Sequence, residues 1–201
     1  TAGKFPNIAF ALSSGASHEN HEGLSTRSVD LMLAVDTVAQ ADWVEQHPVL
    51  RDPFILVTAP QMGDAPNLDR LKTWPFGRYA TGWQIGRQIE AELRRSGTQP
   101  VRGFEFSTNQ ALFAMTAELG GWAITTALAY FGTPRAGDLV VAHPLPVAVF
   151  SRLLALHARR GALGDLPRQM AEDIRICLEE RILQTAAARL PFLRDGFQIL
   201  H

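Results

Sequence analysis

Strand-like and helix-like stretches alternate along this chain, and that alternation limits its possible folds more than any other feature. Ile8–Leu12 is a short apolar run closed by Ser13-Ser14-Gly15. Leu31–Val35 is a second, ending at Asp36-Thr37, and Pro53–Thr58 is a third, closed by Pro60. Val101–Phe106, Trp122–Thr126, Leu139–Ala142 and Val147–Phe150 read as further strands. Over Leu154–Ala158 the alternating pattern favours strand, with helix as the alternative. Between these runs the helical signals recur. Ser17 stands before Glu19 and Glu22, an N-cap with acids in the first turn, and predicts a helix to about Ser28. Asn67–Thr73 suits a short helix. Trp83, Ile85 or Gly86, Ile89 and Leu93 are spaced helically over Thr81–Arg95. Asn109–Leu119 is a further helix, stopped by Gly120-Gly121, and a long one runs from Pro167 to Arg189 with Met170, Ile174, Cys177 or Leu178, and Ile182 on its apolar stripe. The β-α order predicts an α/β protein with mostly parallel sheets.

Composition removes several function classes. The chain has 201 residues, 46% hydrophobic and 19% charged, with Lys+Arg 19 against Asp+Glu 20. Residues 1–100 carry 9 basic and 11 acidic side chains and residues 101–201 carry 10 and 9, so neither half is a basic arm for nucleic acid or a polybasic membrane segment. The longest apolar stretch, Leu139–Phe150, is cut by His143, Pro144 and Pro146, well short of the ~18–20 residues of a spanning helix. The start, Thr1-Ala2-Gly3-Lys4, has no signal-peptide core. One cysteine, Cys177, excludes an internal disulfide and a cysteine-rich zinc site; its place on the stripe of the last helix predicts a small core residue in a reducing compartment.

No motif specifies an enzyme. His18-Glu19-Asn20-His21-Glu22 has its histidines three apart, where a helical zinc pair needs four, so it reads as a solvated first turn and no metal is expected. There is no phosphate loop, no G-x-G-x-x-G after a strand and no G-x-S-x-G elbow. His143 and His157 lack an evident nucleophile or acid partner and read as structural. What recurs is a strand whose end opens a helix through small hydroxyl residues: Ser13 to Ser17, Thr81-Gly82 and Ser107-Thr108-Asn109. Such entrances offer unpaired backbone N–H groups and a hydroxyl, which suits a carboxylate; singly they are ordinary caps, but several at strand ends fit a binding crevice.

These stretches together resemble the effector-binding domain of LysR-type transcriptional regulators. The resemblance rests on Gly23-Leu24 through Val29-Asp30-Leu31-Met32-Leu33-Ala34-Val35, on Asp52-Pro53-Phe54-Ile55-Leu56-Val57, on Trp74-Pro75-Phe76, on residues 107–126, and on Arg159-Arg160-Gly161 with the closing helix. It implies a two-lobe, type 2 periplasmic-binding-protein-like α/β fold with two crossover strands. Lobe I would be residues 1–58 plus 127–201 and lobe II residues 59–126. The family's winged helix-turn-helix and the start of lobe I would lie outside this chain. Trp122 and Thr125-Thr126 depart from the small residue and proline the family more often has there.

The resulting expectation is a cytoplasmic inducer sensor, without cofactor or membrane contact, acting on promoter DNA through another domain and forming a homo-oligomer. The solute-binding subunit of an importer shares the fold, and an enzyme on it is a third reading. The expected ligand-binding residues are Gly15, Ala16, Ser17, Asp36 and Thr37 from lobe I, with Tyr79, Thr81, Trp83, Ser107, Thr108, Asn109 and Thr125 from lobe II. Arg78 is the nearest cation for a carboxylate, while Tyr79 and Trp83 beside Asp36 suit an amine, and an amino-acid-like zwitterion would use both.

Overall fold

A computed structural model describes residues 9, 11–13, 17–35, 41–63, 66–100 and 103–201, with the side chains of 17–21 left aside. The chain divides into two compact units: residues 1–51, 152–183 and 198–201 form unit 1, and residues 52–151 and 184–197 form unit 2.

In unit 1, α1 (Ser17–Thr26) is followed by β1 (Leu31–Val35), which pairs antiparallel with β7 (Ser151–Arg159), Leu33 opposite Leu156. Leu24, Met32 and Ala34 bury together, with Val29 packed beside them. α1 ends in a left-handed residue, Arg27 (φ 65°), and both Ser28 and Val29 donate their amides to Gly23 O at 3.0 and 3.1 Å. A Cβ on Gly23 would stand 2.7 Å from Val29 Cγ2, so a larger residue there would force the Val29 side chain to shift. The first half of β2 (Val44–Thr58) belongs to this unit and pairs with β8 (Gln198–Ile199) at Leu50 and Arg51.

In unit 2, the second half of β2 lies antiparallel to β5 (Trp122–Thr126) and to β6 (Val141–His143), with Leu56 opposite Ile124. β5 pairs parallel with β3 (Phe76–Tyr79), which pairs parallel with β4 (Gly103–Phe106). Alternate residues of β3 face opposite sides of the sheet. Phe76 packs against the Trp122 ring at a tilt (ring centroids 4.4 Å, 36° between planes) on one side. On the other, a Cβ at Gly77 would meet the Leu112 and Thr116 side chains of α4 (Asn109–Glu118) at 2.9 and 3.1 Å, so the helix packs close against the strand there. The Trp122 indole N–H donates to Leu71 O at 2.9 Å, tying α2 (Leu68–Leu71) down.

Several expected elements differ. Ala9, Ala11 and Leu12, the described part of the expected first strand, are not in strand. β2 begins at Val44, much earlier than Pro53; neither Pro48 nor Pro53 falls in the registers with β8 or β5, so their missing N–H groups break no such pair. Among the described pairs parallel pairing is confined to β3, correcting the expectation of mostly parallel sheets. Residues 136–139 form helix α6, and 147–150 are irregular although expected as strand; Phe150 instead stacks on Phe54 (4.2 Å) and accepts the Phe54 amide at 3.0 Å. The closing helix keeps its expected bounds but carries a π-type turn at Glu179–Leu183 between α7 (Leu166–Leu178) and α8 (Gln184–Arg189). Cys177 is exposed, not core: in α7 the buried positions are Pro167 and Ala171, and Cys177 lies off that line.

Candidate functional site

The parallel strands β3 and β4 end side by side, locked by Ala80 N–H donating to Phe106 O at 2.9 Å. Each is followed at once by a helix: α3 (Gln84–Arg95) after the turn 81–83, and α4 after Ser107-Thr108. Two helix entrances therefore open at one edge of one sheet, where the carboxyl ends of parallel strands conventionally place a ligand. Gly86 makes this possible. A Cβ there would lie 2.8 and 2.9 Å from Ala80 O and Tyr79 O, so glycine alone lets the first turn of α3 press onto the strand end.

Beneath the edge runs a buried hydrogen-bond chain. The Tyr79 hydroxyl donates to Asn109 Oδ1 at 2.8 Å and lies 2.7 Å from Thr125 Oγ1, which completes the relay by donating to it. Tyr79 is 4% exposed and Thr125 is fully buried, so these two hold Asn109 in place and do not line a surface. Thr81, Ser107 and Thr108 are exposed on the rim, and Trp83 is 40% exposed as the N-cap residue of α3. Thr108 Oγ1 is engaged, accepting the Ala111 amide at 3.2 Å.

Of the expected site residues, Tyr79, Thr81, Trp83, Ser107, Thr108, Asn109 and Thr125 come together here. Arg78 does not. As the strand neighbour of Tyr79 it faces the opposite side of the sheet, where it lies 3.4 Å from Glu90 of α3 and over the Phe76 ring. Gly15, Ala16, Asp36 and Thr37 lie outside the described residues, and of Ser17 only the backbone, at the start of α1, is described. One cation was missed. Arg87, exposed and one helical turn beyond Trp83, folds back so that its Nη1 donates to Gly82 O at 2.9 Å and Thr81 O at 3.3 Å. The i, i+4 spacing from Trp83 was its signal in the sequence. Among the described residues no cluster of His, Cys, Asp and Glu could hold a metal ion. His143 is buried and shares a 2.9 Å hydrogen bond with Thr58 Oγ1.

The sequence model of the LysR substrate binding domain matches residues 2–175. The chain belongs to that family. The LysR domain is a ligand-sensing module of transcription regulators, not an enzyme, and its fold is the type 2 periplasmic-binding-protein-like α/β fold. Solved structures agree on the fold. Reduced OxyR from N. meningitidis superposes with a TM-score of 0.70 at 16% identity, covering 100% of this chain and 88% of that one. The regulatory domain of HypT from Salmonella typhimurium gives 0.69 at 13% identity, covering 89% and 87%. The effector-binding domain of QuiR in complex with shikimate gives 0.68 at 13% identity, covering 90% and 86%. No curated protein sequence matches the chain. The LysR membership favours a regulator over an importer subunit. No helix among the described residues is long and apolar enough to cross a membrane.

Proposed function

We propose that this domain senses a small organic carboxylate, amino acids included, at the paired entrances of α3 and α4, and that occupancy there sets DNA binding by a domain outside this chain, in a cytoplasmic homo-oligomer. The observation that carries the reading is the convergence of exposed Thr81, Ser107 and Thr108, the half-exposed Trp83 ring and the Arg87 guanidinium around two helix starts at one sheet edge. The hydroxyls and first-turn amides receive the carboxylate, Arg87 supplies the charge, and Trp83 covers the apolar remainder. Arg87 takes over the role expected of Arg78, because Arg78 already faces Glu90. Shikimate, found in QuiR, is an acid of this kind.

A thermal-shift screen of small acids, amines and amino acids tests the ligand class; an acid at a hundred times its dissociation constant adds about 2.7 kcal/mol. The acids are expected to stabilise and simple amines are not. Ser107→Ala, Thr81→Val and Arg87→Gln should each weaken the hit, Arg87→Gln most. A screen without class preference, or three variants that bind as the parent does, overturns the reading.

A further inference from the structure

We propose a second binding site, on unit 1, for a small organic anion bearing a planar apolar group. A surface cavity of about 530 Å³ lies there, lined by Arg27, Trp43, Arg159, Arg160 and Ala162, all from that one unit. The size is that of a small-molecule pocket. Three guanidiniums converge on it, and two are fixed before any ligand arrives. Arg159 Nη1 donates to Leu24 O and Val29 O at 3.1 and 3.0 Å; Arg160 Nε and Nη2 donate to Asp42 O and Val44 O at 2.9 and 3.1 Å. Carbonyl partners orient a guanidinium without neutralising it. Among the described residues the one carboxylate bonded to the set is Asp30, 3.1 Å from Arg159 and 71% exposed.

Arg27 is the third cation and makes no hydrogen bond or ion pair with a described residue. It also occupies a left-handed backbone position (φ 65°) at the end of α1, where glycine fits without steric strain. A charged side chain held at such a position is the kind of outlier that points to use. Trp43 gives the cavity an aromatic wall, 39% exposed, held in place where its carbonyl accepts the Arg160 amide at 2.8 Å. Fixed guanidiniums match planar or tetrahedral oxyanions, and the indole takes a ring. Both carboxylates and phosphates share this chemistry.

The test is a two-dimensional NMR titration of the 201-residue chain with phenyl phosphate, phenylacetate, inorganic phosphate and benzyl alcohol. The Trp43 indole N–H, assigned with Trp43→Phe, is the reporter. Saturable shifts of that signal with one or both aromatic anions, weaker with inorganic phosphate and absent with benzyl alcohol, are expected. The better of the two names the oxyanion. Arg27→Gln should weaken binding about tenfold, the scale of a charge-assisted hydrogen bond. Arg87→Gln should leave this signal's titration unchanged, which separates the site from the rim on unit 2. An unmoved Trp43 signal, equal binding of benzyl alcohol, or an Arg27→Gln chain that titrates as the parent does overturns the proposal.

Discussion

At Arg27 two energies oppose each other. A side chain in the left-handed region costs about 1–2 kcal/mol, while glycine there adds about 0.5–1 kcal/mol of unfolded-state entropy. The first exceeds the second, so Arg27→Gly should raise stability by about 0.5–1 kcal/mol in urea denaturation; an unchanged or lower midpoint contradicts it. The same substitution should weaken anion binding at Trp43 by about tenfold or more, separating stability from binding at one residue. Tyr79 behaves in the opposite way. Its hydroxyl satisfies Asn109 and Thr125 in a buried setting, so Tyr79→Phe should cost about 1–2 kcal/mol and loosen the start of α4, read as a lower melting temperature together with weaker effector binding. That hydroxyl residues gather at this edge was legible in the sequence, because they recur where a strand gives way to a helix. What each does there was not, since the same residues serve as ordinary caps, as Thr108 does for the Ala111 amide. Tyr79 and Arg78 are neighbours in sequence, and only the pleat of β3, a strand the sequence did not announce, sends one to Asn109 and the other to Glu90.

Among the elements, β1 and α4 follow their sequence patterns almost residue for residue because the sequence carries a stop signal after each, Asp36 after β1 and Gly120-Gly121 after α4, and β5 and α1 stay within two residues of theirs. β2 and β3 escape that logic. Their pairing is fixed by partners far along the chain, and two prolines in β2 and a glycine in β3 mask the pattern. The glycine of α3 is equally instructive. Ala at position 86 would gain about 1 kcal/mol of helix propensity, yet its Cβ would overlap two backbone carbonyls at under 3 Å. Backbone cannot give way as a side-chain tip can, so Gly86→Ala should be a net loss of about 1–2 kcal/mol and should shift the turn 81–83, measured by thermal melting and by effector titration. In α5 (Ala127–Gly132), burial pushes the Tyr130 hydroxyl above its ordinary value of 10.0, with Arg189 opposing and Asp138 adding to the rise. The folded state then holds this proton more tightly than the unfolded chain. Its contribution is complete below pH 10 and fades as the pH climbs through the raised value. Denaturation at pH 8 and pH 11 should therefore show a smaller alkaline loss for Tyr130→Phe than for the parent, and equal losses would contradict this.

For the whole molecule, the chain passes between its two units four times, after Arg51, Ser151, Leu183 and Phe197, so neither unit is one continuous segment. Within unit 2 the edge proposed to bind the effector is assembled from β3, β4, β5 and the starts of α3 and α4, all between residues 76 and 126. On that proposal the effector's contacts fall on one continuous stretch of sequence. Hydrogen–deuterium exchange with and without the most stabilising acid from the screen reads those contacts directly. Slower amide exchange over 80–87 and 107–112, with α7 unchanged, is the predicted result. Exchange that a saturating acid leaves unaltered in both segments would contradict the assignment of effector sensing to this edge.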